Sequence, residues 1–516
     1  MKPRAESWFE SIFLSRIIKI RIKMSRKGND NASLTKKDQI CTKIIEYGII
    51  GLIIFSPLPA ASVYEWSILV IKLTLLVMVA AYLIMREKPD NNLLFSRTVK
   101  WPWYLFGGFF VFIFIQIIPL PNFLIEFFSP NSYQFRNLYS FDFSGVKFMS
   151  FSLMPSYTLQ EGFELLSYFL LGFLILTTIT KWKQIMRIFY ILVIMGTFEA
   201  FYGMIELYNK NPRILFFKKI YALDSVTGTF VNRNHLSGYL EMIIPLAIGL
   251  IIARIDFFSY TGMKLRERLL RLFKWGLSTN LLITTGIIVM SLAIILSKSR
   301  SGVFLLIFTF ILFFELTVIY FDRVKHQNRW IKNFLKMTFL VITFISLYIG
   351  IEATIERFAM DKLLHEGRFV YWSNVTSIIK DFPLLGTGLG TFASVYPVYE
   401  ETPSPGHLSH AHNDFLEYFS ELGVVGMALL LGGILFLAVN SFIIWRVRRH
   451  PQVKGLALGG IVAIVIILIH SITDFNLHIP ANMLLFTVVL SLTAVIAFYK
   501  KDKKSEESRD RTEKAK

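Results

Sequence analysis

The fold is decided by Leu281-Leu-Ile-Thr-Thr-Gly-Ile-Ile-Val-Met-Ser-Leu-Ala-Ile-Ile-Leu296, which runs directly into Ser297-Lys-Ser-Arg-Ser-Gly302 and a second apolar run. We predict helices at 277–296 and 303–321, each close to the length of about 20 residues that an α-helix needs to cross a bilayer. Five polar residues and a glycine between two such helices predict a membrane hairpin, and they place Arg300 at the membrane surface.

Apolar runs of this length recur along the whole chain. The 516 residues are 54% hydrophobic and 18% charged, whereas soluble domains average about 25% charged residues. The composition therefore excludes a set of soluble domains and predicts an all-α integral membrane protein. Pro57 and Pro59 predict a kink in the first span. We expect about twelve transmembrane helices, at 44–61, 66–85, 101–119, 160–179, 188–207, 236–253, 277–296, 303–321, 333–351, 413–440, 455–471 and 481–499.

The basic residues predict the orientation of these helices. The chain has 55 Lys and Arg against 36 Asp and Glu, a formal net charge of +19. If both termini lie inside, the inner segments hold 41 basic residues and the outer segments 13, as the positive-inside rule requires. We therefore expect a multi-pass protein of the bacterial inner membrane with both termini in the cytoplasm. The charge then orients the helices and contacts membrane lipids, and no nucleic-acid partner is expected.

The distribution of apolar and basic residues divides the chain into three parts. Residues 1–43 are basic, with apolar side chains at near-helical spacing, which predicts a cytoplasmic amphipathic helix on the membrane. They lack the apolar core of a signal peptide, and Met24 is an alternative start. Residues 44–499 form the membrane domain, with a long periplasmic loop over 352–412 and no evident internal repeat. Residues 500–516 form a charged cytoplasmic tail.

Metal and disulfide chemistry have little support in the sequence. Cys41 is the single cysteine, which excludes a disulfide framework, a cysteine-based zinc site and an iron–sulfur cluster. No two aspartates stand two positions apart, so the acidic metal motif of nucleotide-sugar glycosyltransferases is missing. His407, His410 and His412 stand close together, but we favour polar residues at a helix start over a metal site. We expect no metal and no cofactor.

The polar chemistry gathers on the predicted outer face, in the segments 208–235, 297–302 and 352–412. A guanidinium at the outer end of a hairpin is costly in the membrane unless it is paired or has a function. Arg233 and Arg300 lie on this face. Together they predict an anion site, because the planar guanidinium fork suits phosphate oxygens.

One imidazole on this face, that of His412, is the candidate general base. Asn413 is expected to cap the tenth helix. Glu417 and Glu421 follow one and two turns further on and need partners, for which the arginines are candidates. Further candidates for substrate binding on this face are His235, Lys298, Arg368, His410, Asn413 and Glu417.

Two stretches of the long outer loop have recognisable patterns, and the second of them, 368–380, is predicted to frame the site. Gly386-Thr-Gly-Leu-Gly390 resembles a nucleotide loop but follows no strand, so we interpret it as a tight glycine turn. Residues 368–380 carry apolar side chains on roughly one face and predict an interfacial helix.

These motifs resemble those of the O-antigen ligase and O-antigen polymerase family, whose members are multi-spanning transferases that act on lipid-linked oligosaccharides. The core of the resemblance covers about 227–430. The matching pieces, in order, are Thr227–Tyr239, Ser297–Gly302, Pro383–Phe392, His410–Gly426 and His470–Asn482.

One part of the family pattern separates its branches. In ligases of this family, a His-Asn pair is followed, after nine intervening residues, by the motif Gly-x-x-Gly. In this chain His412 and Asn413 precede Gly423 and Gly426 at that spacing. The ligase pattern continues with a threonine and a second histidine, where this chain has Met427 and a leucine. A polymerase or a protein O-oligosaccharyltransferase therefore stays open.

The resemblance implies a polyprenyl-diphosphate-linked oligosaccharide donor, two arginines that hold the diphosphate, a histidine base and no metal. Those roles fall on Arg233, Arg300 and His412. Glycan would pass at the periplasmic face to a hydroxyl of the lipid A core, of a growing surface polysaccharide or of a protein. Attack opposite the diphosphate would invert the anomeric centre.

Two other classes of protein fit less well. A transporter or flippase of a polyanionic lipid would place ionisable residues near the bilayer midplane, often in repeated halves. Here the polar groups gather at one surface, which favours an enzyme. A structural scaffold would leave Arg233, Arg300 and His412 unexplained.

Overall fold

The computed structural model describes residues 35–86, 100–139, 147–254, 279–321, 368–400, 408–448 and 450–499, which are mainly helical. The β-structure there is two pairs of two-residue strands, Leu120–Pro121 with Phe148–Met149 and Arg213–Ile214 with Phe217–Lys218. Single 3₁₀ turns lie at Ala60–Ser62, Tyr396–Val398 and Asn476–His478. The α-helices are α1 Lys36–Phe55, α2 Glu65–Ile84, α3 Lys100–Ile117, α4 Asn122–Phe128, α5 Pro130–Tyr139, α6 Pro155–Thr178, α7 Trp182–Leu207, α8 Arg233–Arg254, α9 Thr279–Leu296, α10 Arg300–Phe321, α11 Arg368–Asp381, α12 Phe392–Val395, α13 Asp414–Val447, α14 Pro451–His470 and α15 Pro480–Phe498.

The expected fold class is confirmed. In the described ranges, nine helices are long and apolar enough to cross a membrane, namely α2, α6 to α10 and α13 to α15, and Trp101–Ile117 of α3 forms a shorter apolar helix. The chain is therefore an all-α integral membrane protein. The predicted span 333–351, residues 1–34 of the N-terminal segment and the charged tail lie outside the described residues, and the number twelve stays a prediction. Residues 36–43 of the N-terminal segment belong to α1.

The first helix differs from its predicted range of 44–61. It begins at Lys36, because the Thr35 hydroxyl accepts a hydrogen bond from the Asp38 amide (3.2 Å) and caps the first turn. It ends at Phe55, before the two prolines. The prolines thus end the helix, where we predicted a kink within it, and the chain turns at Ala60–Ser62 with positive φ at all three residues.

Helix α8 lies at the centre of the bundle. Its membrane window is completely buried, and it packs mainly against α14. The two helices approach so closely that a Cβ on Gly459 of α14 would lie 2.6 Å from the carbonyl oxygen of Pro245. Since α8 starts at Arg233, this central packing fixes the position of that arginine.

Helix α13 is broken at Gly423, which has φ 60° and ψ −171°. Two backbone amides beyond the break donate to the loop before the glycine turn, Val424 to the Pro383 oxygen (2.9 Å) and Val425 to the Leu384 oxygen (3.2 Å). The predicted glycine turn is present, since Gly386, Gly388 and Gly390 all have positive φ. The break separates the first turns of α13, which carry the candidate site residues, from its membrane part.

Replacing Gly423 by alanine is expected to destabilise the protein. Its backbone conformation is essentially reserved for glycine, and forcing another residue into it costs roughly 1–3 kcal/mol. A Cβ there would also collide with the Leu384 carbonyl. The matched control is Gly432→Ala in the same helix, where the added Cβ would meet Leu105 at an ordinary 3.7 Å. Thermal unfolding of both purified variants checks this, and equal midpoints would contradict it.

The predicted interfacial helix is α11. Its Val375 and Ile378 are buried, and Phe369 on the same helix is 60% exposed. The indole nitrogen of Trp372 donates to the Ala411 carbonyl at 3.0 Å. This bond ties α11 to the residue directly before His412.

Candidate functional site

Several helix ends meet at one end of the bundle. The Ser237 hydroxyl, one turn into α8, lies 3.0 Å from the Ser297 hydroxyl before α10. The Ser301 hydroxyl at the start of α10 lies 3.1 Å from Nε2 of His470 at the end of α14. The first residue of α13, Asp414, donates its amide to the Ser471 carbonyl (2.9 Å). Three helix N-termini, which favour anions, are thus joined in one place.

The loop before α8 is held by a buried carboxylate. Glu199 of α7 accepts from the Thr229 amide (2.9 Å) and hydroxyl (2.9 Å). The same hydroxyl is 2.7 Å from the Pro57 carbonyl oxygen, and Gly228 takes positive φ to make the turn. These contacts hold the segment that leads into Arg233.

Arg233 lines a cavity of about 470 Å³ together with residues of the segment between α7 and α8, namely Tyr221, Ala222, Val231 and Asn232. Nearby, Lys298 Nζ contacts Asp224 Oδ2 at 2.9 Å. The hydrogen bond from Lys298, with the charges of Lys298 and Arg233, lowers the pKa of Asp224 although burial opposes this. Lys298, predicted to bind substrate, therefore has a carboxylate partner in the protein, and Arg233 lies within electrostatic reach of that carboxylate.

His412 and Asp474 form the central pair of the site. Nδ1 of His412 lies 3.2 Å from Oδ1 of Asp474, and the His412 side chain is 28% exposed while that of Asp474 is fully buried. Asn234 Nδ2 donates to the other carboxylate oxygen at 2.5 Å, and His235 Nε2 lies 3.9 Å from Oδ1. If Nδ1 of His412 carries the ring proton, the Nε2 atom of the same ring has a lone pair that can accept a second proton.

The charge on Asp474 is held by its surroundings. Burial would raise the pKa of this carboxyl, but the hydrogen bond from His412 and the electrostatic interactions with His235, His412 and Arg368 keep it well below the usual range. Arg368 lies close because its Nη1 donates to the Thr473 carbonyl at 2.7 Å. Arg368 was predicted to bind substrate, and in the structure it holds the loop that carries Asp474.

The backbone at His412 is unusual, with φ 50°. A non-glycine residue at positive φ is uncommon, and this backbone conformation persists only where the surrounding structure imposes it. The next residue, Asn413, caps α13 as predicted, since its side chain accepts from the Leu416 amide at 3.1 Å. The turn thus directs the imidazole to Asp474 while the helix starts immediately after it.

Phe475 separates two groups of histidines. Its ring stacks on His410 with centroids 4.3 Å apart, and it meets His235 (4.6 Å) and His412 (4.9 Å) edge-on. Although His410 and His412 are two positions apart in sequence, they contact different carboxylates. His410 contacts Glu417, and His412 contacts Asp474. His407, the third histidine of the predicted loop, lies outside the described residues.

The partners of Glu417 differ from the expected arginines. Its carboxylate contacts His410 Nδ1 (2.8 Å), the Ala411 amide (2.7 Å) and His478 Nε2 (3.4 Å). Nδ1 of His478 is 2.6 Å from Asp414 Oδ1. Burial would lower the pKa of His478, but Glu417 and Asp414 raise it to about 10. Histidines take the place of arginines because the loop before α13 and the 3₁₀ turn before α15 both fold over this carboxylate.

A further buried pair lies behind Arg300. Nδ1 of His470 is 2.8 Å from Oε2 of Glu241, and both side chains are fully buried. The other ring nitrogen contacts Ser301, the neighbour of Arg300. We did not predict Glu241, His470 or Asp474 as site residues. His470 and Asp474 could have been identified from the motif His470–Asn482, in which they stand four positions apart.

A comparison with known families bears on this site. Residues 285–431 match the family model described as O-antigen ligase, a range that includes Arg300 and His412. Arg233 and Asp474 lie outside it. A search of curated proteins gave no match. The family supports glycan transfer of the O-antigen ligase kind, with a lipid-linked oligosaccharide and an acceptor as general partners. The chain is therefore a multi-pass membrane protein in which residues 285–431 match the O-antigen ligase family model.

Proposed function

We propose that this protein transfers or polymerises oligosaccharide from a polyprenyl-diphosphate-linked donor onto an acceptor hydroxyl at the periplasmic face of the inner membrane. The observation that carries the proposal is the His412–Asp474 pair, at the end of the bundle where two arginine-bearing helices start. A base beside an anion site is what transfer from a glycosyl diphosphate requires.

The reaction needs one proton acceptor and one charge-stabilising group. The acceptor oxygen attacks the anomeric carbon as Nε2 of His412 takes its proton, while Asp474 stabilises the imidazolium that forms. The bond from the anomeric carbon to the diphosphate oxygen breaks, and Arg233 and Arg300 stabilise the charge that develops there. The proton is then released from His412 to water. Attack from the side opposite the diphosphate inverts the anomeric centre, and no metal ion takes part in this step.

Two alternatives remain beside a ligase of surface polysaccharide. Met427 departs from the ligase pattern, so a polymerase or a protein O-oligosaccharyltransferase would use the same residues with another acceptor. A flippase of a polyanionic lipid belongs to a different class. The gathering of His412, Asp474 and the arginine-bearing helix ends at one end of the bundle favours the enzyme.

A deletion strain distinguishes these classes. For a transferase we expect unmodified lipid-linked donor to accumulate on the outer leaflet, because donor still arrives there and is no longer consumed. Donor trapped on the inner leaflet would support the flippase and refute the transferase. Analysis of the lipopolysaccharide, free polysaccharide and glycoproteins of the same strain identifies the acceptor by which product is lost.

The proposed orientation is tested by labelling the two ends of α7. In a Cys41→Ala background, Tyr208→Cys at the outer end should react with a membrane-impermeant maleimide in intact spheroplasts, since Tyr208 is 80% exposed. Lys183→Cys, in the first turn of α7, should react after permeabilisation. The reverse pattern would contradict the proposed face of the site.

Replacing Asp474 by asparagine is expected to slow transfer. The carboxylate contacts Nδ1 of His412, where it orients the imidazole and stabilises the imidazolium that forms as the ring accepts a proton, and the asparagine amide carries no such charge. The rate should fall between roughly tenfold and 10⁴-fold, the upper value being the loss when a serine protease triad loses its aspartate charge.

The matched control is Asp381→Asn, since Asp381 is an exposed partner of Tyr399 (2.6 Å) away from His412. It should leave the rate unchanged. If Asp474→Asn lowers only the yield of folded protein and leaves the transfer rate of the folded remainder unaltered, Asp474 has a structural role and does not position the base.

A further inference from the structure

A set of side chains that could bind a metal ion lies on the far side of Phe475 from Asp474. Within the described parts of the chain, His410, Glu417 and His478 form a group whose ligand atoms all lie within 4.8 Å of one another. Ligands about 2.0–2.1 Å from a tetrahedral ion are about 3.3 Å apart. The 2.8 Å from Glu417 Oε1 to His410 Nδ1 and the 3.4 Å to His478 Nε2 bracket that value.

The orientation of His478 fits a metal ligand. Its Nε2 is buried and makes no hydrogen bond that the described residues provide, although it faces the Glu417 carboxylate. Its Nδ1 contacts Asp414 at 2.6 Å, and the ring stacks on Tyr418 with centroids 4.2 Å apart. A carboxylate that holds the remote nitrogen of a histidine is the usual outer partner of a metal-bound imidazole.

The balance of charge and exposure also suits an ion. Glu417 and Asp414 are almost completely buried, and a divalent ion bound by neutral imidazoles would neutralise both carboxylates. His410 is the most exposed of the three ligands, at 30%, which gives an ion a path from the outer surface and leaves one coordination position for water. Two nitrogens and one carboxylate oxygen favour Zn²⁺ over Mg²⁺ or Ca²⁺, which prefer oxygen alone.

We propose that His410, Glu417 and His478 bind one divalent transition-metal ion of the Zn²⁺ class, with Asp414 as the outer partner of His478. The ion ties the loop before α13 to the 3₁₀ turn before α15. It thereby holds Phe475 in place between the two histidine groups. It lies on the other side of Phe475 from the His412–Asp474 pair, so it stabilises the site and takes no part in proton transfer. This inference does not rest on the proposed function.

Metal content of the full-length protein tests the proposal. The chain is purified in detergent with an affinity tag free of histidine, incubated with Zn²⁺, dialysed against metal-free buffer and analysed by plasma mass spectrometry. We expect about one Zn²⁺ per chain in the wild type and in the controls His412→Gln and His450→Gln. Glu417→Gln and His478→Gln should retain less than about a tenth of that.

Three further measurements test the same site. Asp414→Asn leaves all three ligands in place and should weaken Zn²⁺ binding about 10- to 100-fold. Titration of the wild type with Co²⁺ should give the visible absorption of a tetrahedral site. EDTA should lower the thermal unfolding midpoint while transfer continues at temperatures well below it. The proposal would be overturned if the wild type retained no ion. It would also be overturned if the His478→Gln variant retained as much Zn²⁺ as the wild type.

Discussion

Arg300→Lys is expected to lower the rate of glycan transfer nearly as far as Arg300→Ala. Lysine keeps the positive charge but loses the planar fork that binds two phosphate oxygens at once. Loss of such a contact to charge that develops in the transition state costs on the order of 2–4 kcal/mol, or roughly 30- to 1,000-fold in rate. Arg233→Ala should fall in the same range, because both arginines are proposed to stabilise the same leaving group.

The measurement is the transfer rate of purified variants in lipid vesicles, alongside binding of the lipid-linked diphosphate. Arg187→Lys is the matched control, since Arg187 pairs with Glu46 near the opposite end of the bundle. We expect the control to transfer at the wild-type rate. An Arg300→Lys enzyme as fast as the wild type would exclude the fork from the mechanism, even though the family match stands.

His412→Ala is expected to reduce transfer by about 10²- to 10⁴-fold, the usual contribution of a general base. The reason for this loss of rate differs from that in the arginine variants, because the His412 imidazole is proposed to accept a proton and not to hold the diphosphate. Binding of the lipid-linked donor should therefore remain close to that of the wild type. His410→Ala should be milder, since its ring points to Glu417 and not to Asp474.

His450→Ala controls for the loss of an imidazole, because His450 precedes the other end of α14. Single-turnover rates separate the proton-transfer step from donor binding. A His412→Ala enzyme that transfers normally would show that another group is the base. A variant that loses donor binding and transfer together would place His412 in the anion site.

The membrane helices could be predicted because hydrophobic length is a local property of the chain. Nine of the twelve predicted spans coincide with described helices that are long and apolar enough to cross a membrane, and the predicted spans 44–61 and 101–119 overlap two further helices. Several ends differ from the prediction: α7 begins at Trp182, and in α1 the Thr35 cap and the polar turn after it extend the helix beyond its apolar part. Caps and charged first turns carry no hydropathy signal, so their position was missed.

The candidate site was predictable only in part, for a physical reason. Arg233, Arg300 and His412 draw attention because a polar group beside an apolar span needs an explanation. Their partners do not, since they come from distant positions. Asp474 is 62 positions from His412, and Glu241 is 229 positions from His470. Such pairs are created by helix packing, and a single sequence contains no measure of it.

The central position of α8 has a consequence for how the protein is made. Helix α14, which covers α8 and supplies His470 to Glu241, is synthesised almost two hundred residues after α8 ends. At 5–20 residues per second this delay lasts roughly 10–40 s, during which Glu241 lies in the bilayer without its imidazole. Biogenesis therefore needs α8 to be sheltered by the insertion machinery or by earlier helices. A ribosome that stalls before α14 leaves a nascent chain that quality-control proteases of the membrane can recognise.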